Sequence, residues 1–560
     1  KGLGTNTSAE AKEYFKNLDA HRIDFTRSSP HQLSSKKTHQ YSAKPDDAIE
    51  MAFSKENVAL RKHWLATDLI QRGVTPDDIA RNIIHRVEES DECTSDFARH
   101  TTASQQQLFL TYTDFINYEL ILFSHADNIR SIPNVIDGFK PGQRKVIYGS
   151  LKRKLLSSTN EIKVAQLAGY ISEQTGYHHG ESSLHSTIIN MAQDYVGSNN
   201  LPLLQALGQF GTRYQGGKDA ASPRYIFTKL HQLVRLIYHE DDDPLLTYLN
   251  DDGYPIEPAY FVPIIPMVLI NGCEGVGTGW STFLPCYHPL DVVNNVERLI
   301  NDQPLTEMIP FYRGFKGSIK QVSSRGHTYR SEGIIERNGR LGATVSELPV
   351  RRWTMQFKEF LDQAIKARKG SLIKSYTEHH ADDAVKFRLR LTTRGRDLFD
   401  KHGEEGMIDR LKLHKSVSMN NAHLFDAQHK MKKYNDPREI IEDFAQIRLD
   451  MYAKRKQHLL ESMRKNLSRA SNRHRFITAV IQGKLKVMNV PKATLIEHLK
   501  KGKYDPLHNH FEYLLQMPIY DLTQERLDRM EKELDQLQTA HQQLESMSEK
   551  DLWLEGRGRP

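Results

Sequence analysis

The sequence predicts a multidomain α/β protein that ends in a long antiparallel coiled-coil arm. The chain has 560 residues, several times the ~150 residues of a typical domain. Between residues 255 and about 430, β-branched runs alternate apolar and polar residues, a pattern typical of strands. Towards the end, apolar residues recur every three or four positions over long stretches, which is typical of paired helices.

The composition excludes several classes of protein. With 38% hydrophobic and 26% charged residues, the chain is unlike an intrinsically disordered protein. No stretch approaches the ~18 consecutive apolar residues of a membrane span, and the first residues lack the features of a signal peptide. The three cysteines are far apart and form no C-x-x-C motif, which argues against a disulfide framework or a zinc ribbon. We therefore expect a soluble protein from a reducing compartment.

The net charge alone does not indicate a partner. The chain has 77 Lys and Arg residues against 70 Asp and Glu residues, a formal charge of +7. Since this is only mildly basic for 560 residues, any prediction of an anionic partner depends on where the basic residues lie.

The N-terminal part of the chain alternates helical and polar segments. Apolar spacing predicts a helix near residues 9–18 and helical structure over 51–73. Residues 28–50 are rich in Ser and Lys and are predicted to form a linker. Residues 88–106 lack apolar periodicity and are predicted to be poorly ordered. The chain opens within a motif, so we expect it to be a fragment of a longer protein.

Residues 108–249 form a dense globular segment with two informative helices. The first begins at Pro141, and its spacing places Arg144 and Lys145 outside an apolar face. The second, IKVAQLAGYISEQTG, leaves Lys163 and Gln166 outward. Two short helices joined by a turn outline a helix-turn-helix, whose basic surface suits a duplex groove. On spacing alone, an ordinary helical core with a solvated charged surface is the favoured explanation.

The second half of the chain is predicted to be a mixed α/β region followed by a stalk. The extended runs are PIIPMVLING, TVSELPV and AVKFRLRLTT, broken by Gly and Pro turns. The apolar spacing is that of a coiled coil over residues 440–451 and again over 527–544. Two such helices can pair antiparallel as a stalk, with residues 482–520 as a small domain at its tip.

The segment GQFGTRYQGGKDAASPRYIFTKL, residues 208–230, has the composition of a phosphate-handling loop. Its glycines allow close backbone approach, and Pro223 biases the preceding residue away from helix, leaving Tyr225 at the mouth of a loop. A tyrosine has a pKa near ~10, so as a nucleophile it needs a base for its proton and cations for the transition-state charge. Arginine offers a permanent charge and a two-pronged donor geometry for phosphate oxygens. The polar residues around the tyrosine are Arg213, Lys218, Ser222 and Arg224. An Arg-Tyr pair alone is more often structural.

Several long motifs are shared with one protein family. They are SIPNVIDGFKPGQRKVIY, YHHGESSLHSTIINMAQDYVGSNNLPLL, GQFGTR, SPRYIFT, PIIPMVLINGCEGVGTGWST and ELPVRRW. Together with KGLGT at residue 1 and DLWLE at 551–555, they span the chain, which closely resembles the eukaryotic type IIA DNA topoisomerases. The resemblance implies a DNA breakage-reunion core with a winged-helix domain, a mixed α/β tower domain and a coiled-coil arm that ends in a helical dimer gate.

The resemblance also implies domain boundaries. Residues 1–30 correspond to the C-terminal end of a Toprim region, and residues 31–106 to a linker and helical segment. The winged-helix domain with the active-site tyrosine is expected over 107–250. The tower is expected over 251–430, and the coiled-coil arm with its C-gate over 431–555.

Four catalytic residues are implied by the same resemblance. Tyr225 matches the nucleophile that attacks a backbone phosphate to give a 5′-phosphotyrosyl link and a free 3′-hydroxyl. Arg224 matches the arginine that contacts the scissile phosphate, and Arg130 matches a second arginine that stabilises the transition state. His179 matches the histidine near the reacting phosphate, whereas His178 is expected to be structural. The residue types suit the task, because guanidinium groups offset developing charge and an imidazole can accept a proton at neutral pH.

Further DNA contacts are expected around this site. Val276, in CEGVGTG, stands where the family usually carries an isoleucine that wedges between base pairs, which unstacks a step and bends the duplex. Valine is one methylene shorter, so the depth of the wedge and its step preference stay open. The alternative of a phosphate-binding glycine loop is weak, since no Lys-Ser or Lys-Thr follows. The DNA-binding candidates are Lys140, Arg144, Lys145, Lys163, Gln166, Arg213, Lys218, Ser222 and Val276.

The family's cofactors, Mg²⁺ and ATP, are expected to be bound by domains upstream of this sequence. In the family, acidic residues of the Toprim domain hold the Mg²⁺, so no metal or cofactor site is expected here. The acidic runs at 240–243 and 251–252 are predicted to be solvated loops. Because phosphate transfer without a divalent ion lacks its main charge neutraliser, we expect this polypeptide alone to bind DNA and dimerise but to cleave poorly.

The expected partners are duplex DNA, a second copy of the chain and the upstream Toprim and ATPase domains. One tyrosine per strand implies a twofold homodimer, with a contact at the C-gate around residues 517–522. No membrane partner is expected. The family implies a nuclear location, with a mitochondrial or viral origin also open.

Two other interpretations compete with this one. A non-enzymatic DNA-binding architectural protein with a coiled-coil arm explains the basic helices but leaves Tyr225, Arg130 and His179 without a purpose. A bacterial-type gyrase is disfavoured, because SPRYIFT and ELPVRRW are of the eukaryotic type and nothing like a DNA-wrapping propeller follows the arm.

Overall fold

The computed structural model describes residues 8–16, 18, 22–27, 45–71, 108–156, 160–177, 179–251, 253–323, 327–367, 371–381, 384–487, 489–506, 510–518 and 523–555. The chain divides into two compact units. The first comprises Lys1–Glu240 with Leu246–Ile447, and the second comprises Asp241–Leu245 with Arg448–Pro560. The domain boundaries expected at residues 30, 106, 250 and 430 stay predictions.

In the N-terminal part of the first unit, the described residues form three helices and one parallel strand pair. They are α1 (Ser8–Lys16), β1 (Ile23–Thr26), α2 (Pro45–Phe53), α3 (Val58–Gln71) and β2 (Leu108–Thr111), with β1 pairing β2. The helix predicted near 9–18 is confirmed as α1. The helical segment predicted over 51–73 is two helices, and the first begins inside the predicted linker. Pro45, with Asp46 and Asp47 after it, makes a favourable helix start. Residues 28–44 and 88–106 lie outside the described residues.

A packed group of helices follows. Its elements are α4 (Tyr112–Asp114), a π-helical turn (Phe115–Leu120), α5 (Ile121–Ser131), α6 (Pro141–Lys152), β3 (Ile162–Lys163), α7 (Val164–Thr175), α8 (Glu181–Ala192) and β4 (Phe227–Thr228). Helix α6 has Pro141 in its first turn, where proline's fixed φ is favourable. Helix α7 ends at Gly176, whose φ of +55° suits a left-handed cap. Both helices predicted in this segment are confirmed, and they bury Val146, Ile147, Leu167 and Ile171.

Short elements connect this group to the sheets. They are α9 (Val234–Ile237), a 3₁₀ helix (Glu240–Leu245), β5 (Tyr248–Asp251), β6 (Tyr254–Pro258), α10 (Met267–Asn271), β7 (Cys273–Val276), β8 (Ser281–Leu284) and α11 (Pro289–Ile300). The prediction that PIIPMVLING is extended is wrong, since its second half is helix α10. Residues 267–270 are buried on every side, and a fully buried helix shows no periodicity that distinguishes it from a buried strand.

Two antiparallel sheets and a hairpin complete the first unit. The elements are β9 (Ser318–Ser323), β10 (Thr328–Glu332), β11 (Ile334–Arg337), β12 (Gly342–Glu347), α12 (Thr354–Lys366), β13 (Ile373–Glu378), β14 (Phe387–Leu391), α13 (Thr393–Arg410), β15 (His414–Ser418), β16 (Ala422–Phe425) and β17 (Met431–Tyr434). The strand orders are β15-β10-β9 and β11-β12-β14-β13, and β16 pairs β17. Strands predicted from TVSELPV and AVKFRLRLTT are confirmed as β12 and β14. Their apolar faces, with Phe357 of α12 and Phe399 of α13, form one core.

The second unit is dominated by two long helices. Its helices are α14 (Pro437–Ile481), α15 (Lys492–Lys501), α16 (Glu512–Leu515), α17 (Gln524–Ser546) and α18 (Glu549–Glu555), and the division between units falls within α14. Helix α14 has 45 residues, about 68 Å at ~1.5 Å per residue. Phe476 near its end shares a core with Leu527 of α17, while Lys456 donates to the carbonyl of Met547 beyond the end of α17 (2.5 Å). The two helices therefore run antiparallel. Residues 519–522 of the expected gate contact lie outside the described residues.

The acidic run at 240–243 is not a fully solvated loop. Asp242 is 3% exposed and accepts hydrogen bonds from Arg448 Nη1 and Arg455 Nε, each 2.6 Å long. The prediction is wrong for this residue because its two cationic partners lie more than 200 positions away along the chain. The 3₁₀ helix is thereby tied to α14 within the second unit.

The helices do not have membrane-spanning character. None of those in the described ranges is both long enough and apolar enough to cross a bilayer.

Candidate functional site

Tyr225 lies on a tight turn formed by residues 222–225. The backbone N–H of Tyr225 donates to the carbonyl of Ser222 (2.9 Å), and Pro223 occupies the second position, where its fixed φ favours the turn. The phenol is 69% exposed, whereas the next residue, Ile226, is 2% exposed. The turn therefore presents the tyrosine to solvent from a chain segment that is anchored immediately after it.

The start of helix α7 holds this turn in place. Ala165 N–H donates to the carbonyl of Pro223 (3.1 Å), and Val164 N–H donates to the carbonyl of Ile226 (3.0 Å). The first N–H groups of a helix have no partner inside the helix, so the turn satisfies two of them. This arrangement restricts the motion of the backbone that carries the tyrosine.

The glycine-rich loop before the turn is folded tightly against Trp353, from the ELPVRRW motif. A Cβ on Gly216 would lie 2.3 Å from the Trp353 ring, and its φ is +66°. A Cβ on Gly211 would lie 2.6 Å from the backbone of Gly217. Only glycine meets both the conformation and the spacing, so these glycines are explained by the shape of the loop, without a ligand.

Arg224 provides a cation directly beside the phenol. Its guanidinium carbon lies 5.4 Å from the centroid of the Tyr225 ring, within the range of a cation–π contact. Among the described residues, this guanidinium makes no hydrogen bond or ion pair, and the Tyr225 hydroxyl makes no hydrogen bond. Both groups are exposed and available to an anionic ligand.

Arg130 and Val276 belong to a second rigid assembly, in which the end of α5 supports the β7–β8 hairpin. The Thr278 hydroxyl at the hairpin tip donates a hydrogen bond to Asp127 Oδ2 (2.9 Å). The Thr278 carbonyl accepts one from Asn128 Nδ2 (3.1 Å). Arg130 is exposed in the last turn of α5. Val276 is 77% exposed on the outer face of the hairpin. An exposed aliphatic side chain on a braced hairpin is suited to insertion between stacked groups.

We predict that Gly275→Ala separates the hairpin from α5. The Cβ would lie 2.1 Å from the carbonyl oxygen of Ser131, and such overpacking costs about 1–3 kcal/mol of unfolding free energy. Chemical denaturation of the variant measures this loss. The matched control is Gly169→Ala in α7, where a Cβ meets nothing within 4 Å and alanine is expected to be neutral or stabilising. Equal stability of the two variants would contradict the packing argument.

His179 lies in the connection between α7 and α8. Its ring contacts Tyr177 edge-on, with centroids 5.5 Å apart, and Gly180 follows with a φ of +85°. His178 lies outside the described residues. The contacts of Tyr225 within the described part of the chain include Arg224 but neither His179 nor Arg130. The four predicted catalytic residues therefore lie at three places in the first unit: Tyr225 with Arg224 on the turn, Arg130 at the end of α5, and His179 between α7 and α8.

The family's sequence profile covers most of this region. The profile that describes the A subunit of DNA gyrase and topoisomerase IV matches residues 130–556. The chain belongs to the type II DNA topoisomerase family. A second profile, the C-terminal associated domain of TOPRIM, matches residues 1–128.

Individual type II topoisomerases are similar along nearly the whole chain. The mitochondrial DNA topoisomerase 2 of Dictyostelium discoideum is 42% identical, over 99% of this chain and 40% of that protein. DNA topoisomerase 2 of Saccharomyces cerevisiae is 38% identical, over 99% of this chain and 39% of that protein. The chain thus spans about two fifths of the length of these relatives. The crystal structure of the DNA-binding, cleavage and re-ligation domain of Plasmodium falciparum topoisomerase II superimposes with a TM-score of 0.75 at 37% identity, covering 99% of this chain and 72% of that one.

Three of the predicted DNA-binding cations of this topoisomerase chain are committed to interior ion pairs. Arg144 pairs with Asp137 (2.7 Å), Lys145 with Glu257 (2.7 Å) and Arg213 with Glu347 (2.6 Å). Each carboxylate is at most 3% exposed, and removing its cation would leave a buried charge unpaired. The prediction that Arg144 and Lys145 lie on an outward basic helix face is therefore wrong, and Arg213, predicted as a cation of the glycine-rich loop, is also buried. Spacing within α6 could not show the pairing of Lys145, since Glu257 is remote in sequence.

The other predicted contacts are closer to the surface. Gln166, Lys218 and Ser222 are exposed. Lys163 Nζ lies 5.8 Å from the Phe227 ring centroid. Lys140 Nζ donates to the carbonyl of Glu274 in β7 (2.7 Å), and burial lowers its pKa. Their roles in DNA binding stay predictions.

Sequence reasoning overlooked two cations at the base of the β7–β8 hairpin. Arg351 Nη1 pairs with Glu274 Oε2 (2.7 Å), and its guanidinium carbon lies 5.3 Å from the Phe283 ring centroid. Lys415 Nζ donates to the carbonyl of Arg351 (3.2 Å), and burial, followed by the Arg351 charge, lowers the pKa of Lys415. The adjacent arginines of ELPVRRW were the only indication in the sequence.

A divalent metal requires several acidic or imidazole side chains at one place. Within the described ranges, no three His, Cys, Asp or Glu side chains come together in a way that could hold a metal ion. The described residues therefore do not fit the Mg²⁺ that the family implies.

Proposed function

We propose that this chain is the DNA breakage-reunion part of an ATP-dependent type II topoisomerase, and that Tyr225 is its nucleophile. The observation that carries the proposal is the 69% exposed phenol on a braced turn, beside the uncommitted guanidinium of Arg224. The exposed tyrosine beside Arg224 supports this function because the chain belongs to the topoisomerase family. In addition, its Plasmodium relative is described as a DNA-binding, cleavage and re-ligation domain.

In the proposed reaction, the Tyr225 oxygen attacks the phosphorus of a backbone phosphodiester. The phenolic proton passes to a base, a bond forms between that oxygen and phosphorus, and the bond from phosphorus to the 3′-oxygen breaks. The 3′-oxygen takes up a proton and leaves as a hydroxyl. One phosphodiester replaces another, so the reverse attack by the 3′-hydroxyl reseals the strand without an external energy source.

The arginines and the histidine have distinct roles in this proposal. Arg224 donates to non-bridging oxygens of the scissile phosphate, and Arg130 offsets the charge that develops in the transition state. His179 serves as hydrogen-bond partner or proton acceptor. Because the turn at 222–225 is tied to α7, little reorganisation is needed to bring the phenol to the phosphate. No step is assigned to a metal, since the described residues do not supply a site for one.

The same proposal assigns a domain of the family to each part of the fold. The α6–α7 region is the winged-helix domain, the β9–β15 region the tower, and α14 with α17 the coiled-coil arm. The working protein is a homodimer on duplex DNA, with the remaining domains of the enzyme supplying Mg²⁺ and ATP sites. A nuclear location is equally a proposal, with a mitochondrial or viral origin as the alternatives. The architectural alternative is disfavoured because the similar proteins are named DNA topoisomerase 2.

The proposal is tested in the longer protein that contains this chain. The protein is incubated with supercoiled plasmid and Mg²⁺, denatured, and digested with protease. Protein-linked 5′ ends resistant to a 5′ exonuclease, with free 3′ ends that a polymerase extends, are expected. Nicked or linear DNA with unblocked 5′ ends would overturn the proposal.

We predict that Val276→Ala weakens DNA bending. The substitution removes two methyl-sized groups that would otherwise be buried between bases. At ~0.8 kcal/mol per group, the bent population is expected to fall about 5- to 15-fold. Fluorescence energy transfer between dyes on the two ends of a duplex measures the bend. Val276→Ile should bend DNA at least as well as the wild type, and both variants should keep the melting temperature because the side chain is exposed. Equal bending by all three proteins would exclude the wedge role.

A further inference from the structure

Three segments of the first unit meet beside the tip of the β7–β8 hairpin. Lys62 comes from α3, Trp280 is the last residue of the tip, and His423 and Lys433 are opposite each other on the β16–β17 hairpin. We call Lys62, Trp280, His423 and Lys433 the hairpin-tip cluster. The three segments are far apart in sequence, so only the fold brings them together.

Ring contacts hold the cluster in a defined geometry. Lys62 Nζ lies 4.0 Å from the centroid of the Trp280 ring. The indole also contacts the imidazole of His423, with centroids 5.1 Å apart, and His423 Nδ1 lies 3.0 Å from the carbonyl oxygen of Ser281. Directly opposed residues of an antiparallel pair project to the same side, so Lys433 lies on the side of β16–β17 that carries His423.

The charge of the cluster is uncompensated. Among the described residues, neither Lys62 nor Lys433 forms an ion pair or hydrogen bond with a carboxylate. Burial lowers the pKa of Lys62, and the nearby charge of Lys433 lowers it further. Burial lowers the pKa of His423, and the charge of Lys62 adds to that effect. Two positive charges held close together without a neighbouring carboxylate repel each other. A bound anion would relieve this repulsion.

Lys432, the neighbour of Lys433 on the same strand, differs from it by having a carboxylate partner. Lys432 projects to the opposite side of β17 and pairs with Asp443 (2.5 Å). Lys432 is thus neutralised within the protein, while Lys433, on the other side of the strand, leaves its charge acting on Lys62. The difference indicates that the hairpin-tip cluster is arranged for an anion from outside the chain.

The position of the cluster indicates which anion. Val276 is the last residue of β7 before the tip, and Trp280 is the last residue of the tip itself. A side chain that inserts between base pairs kinks the duplex and lets it contact more protein surface beside the insertion. A backbone phosphate flanking the inserted step would therefore come next to the two lysines.

We propose that Lys62 and Lys433, supported by Trp280, bind a backbone phosphate of the duplex next to the step at which Val276 inserts. The inference rests on the proposed function, since it requires duplex DNA on this face. The lysines act as positive charges at a fixed place, and the indole restrains the Lys62 side chain. They position the bent DNA and take no part in the chemical step.

The test compares two double variants of the longer protein that contains this chain. Lys62→Gln/Lys433→Gln removes both charges of the cluster. Lys430→Gln/Lys432→Gln removes two charges that lie on the same hairpin but outside the cluster, and it serves as the matched control.

Binding of a duplex of about 40 base pairs is measured between about 50 and 200 mM salt. Each neutralised phosphate contributes about −0.9 to the slope of log K against log[salt]. Because both lysines bind the same phosphate, the cluster variant is expected to make the slope less negative by about 0.9, and the control by less than about 0.5.

A slope unchanged in the cluster variant, or changed equally in the control, would overturn the inference. Melting temperatures show whether either variant unfolds, and Lys62→Arg/Lys433→Arg, which keeps both charges, should restore the slope. Inorganic phosphate and unlabelled duplex are also compared as competitors for the bound duplex. If inorganic phosphate displaces the duplex as effectively as unlabelled duplex does, the cluster binds free anions and not specifically DNA. If the wild type forms the phosphotyrosyl adduct but the cluster variant keeps the slope, this inference alone fails. If the wild type forms no adduct, the proposed function fails.

Discussion

Replacement of Tyr225 by phenylalanine is expected to abolish the covalent protein–DNA adduct and to change duplex affinity by less than about threefold. Phenylalanine lacks the oxygen that attacks phosphorus but keeps the ring against which Arg224 lies. The hydroxyl is exposed and makes no hydrogen bond among the described residues, so its removal leaves no buried group unpaired. Denaturing electrophoresis of labelled DNA measures the adduct, and equilibrium titration measures the affinity.

The matched control for this variant is Tyr254→Phe. Tyr254 is also highly exposed, at 75%, but lies on β6, outside the glycine-rich loop. The control variant is expected to form the adduct at the wild-type level. An adduct that persists in Tyr225→Phe, or disappears equally in both variants, would show that Tyr225 is not the nucleophile.

Replacement of Asp242 by alanine is expected to destabilise the second unit by about 3–5 kcal/mol. The carboxylate lies between Arg448 and Arg455 and is buried with them. Removing it leaves two guanidinium groups in a low-dielectric interior without the charge that compensates them. The loss should be seen as faster amide hydrogen exchange in residues 448–481, which carry both arginines.

Local hydrogen exchange is the suitable measurement because a chain with two units need not unfold in one step. Glu240→Gln is the control, since Glu240 is exposed at the start of the same 3₁₀ helix. It is expected to leave the exchange rates of α14 unchanged. Equal protection in Asp242→Ala and the wild type would mean that the ion pairs contribute no net stability.

The parts of the fold that sequence predicted correctly are those specified by local patterns. Apolar spacing indicated α6 and α7, alternation indicated β12 and β14, and the three-four spacing indicated the long helices. The turn at 222–225 was indicated by Pro223, which fixes its own φ and biases the residue before it away from helix; the role of Tyr225 as nucleophile came from the family resemblance and stays a proposal. Each of these features depends on residues a few positions apart, which a single sequence displays.

The parts that sequence predicted wrongly depend on distant partners. Arg213 is paired with Glu347 and Asp242 with Arg448, and nothing near these residues distinguishes them from surface charges. Helix α10 was predicted as extended because complete burial removes the amphipathic pattern. The hairpin-tip cluster was not found at all, since Lys62, Trp280 and Lys433 come together only in the folded chain.

The most direct test of the central claim is to identify the residue that carries the DNA. The covalent complex of the longer protein is digested with nuclease and trypsin and analysed by mass spectrometry. Cleavage after Arg224 and Lys229 isolates the peptide YIFTK. The account predicts that this peptide carries a nucleotide joined through its 5′-phosphate to the oxygen of Tyr225. A nucleotide on any other residue, or one joined through a 3′-phosphate, would contradict it.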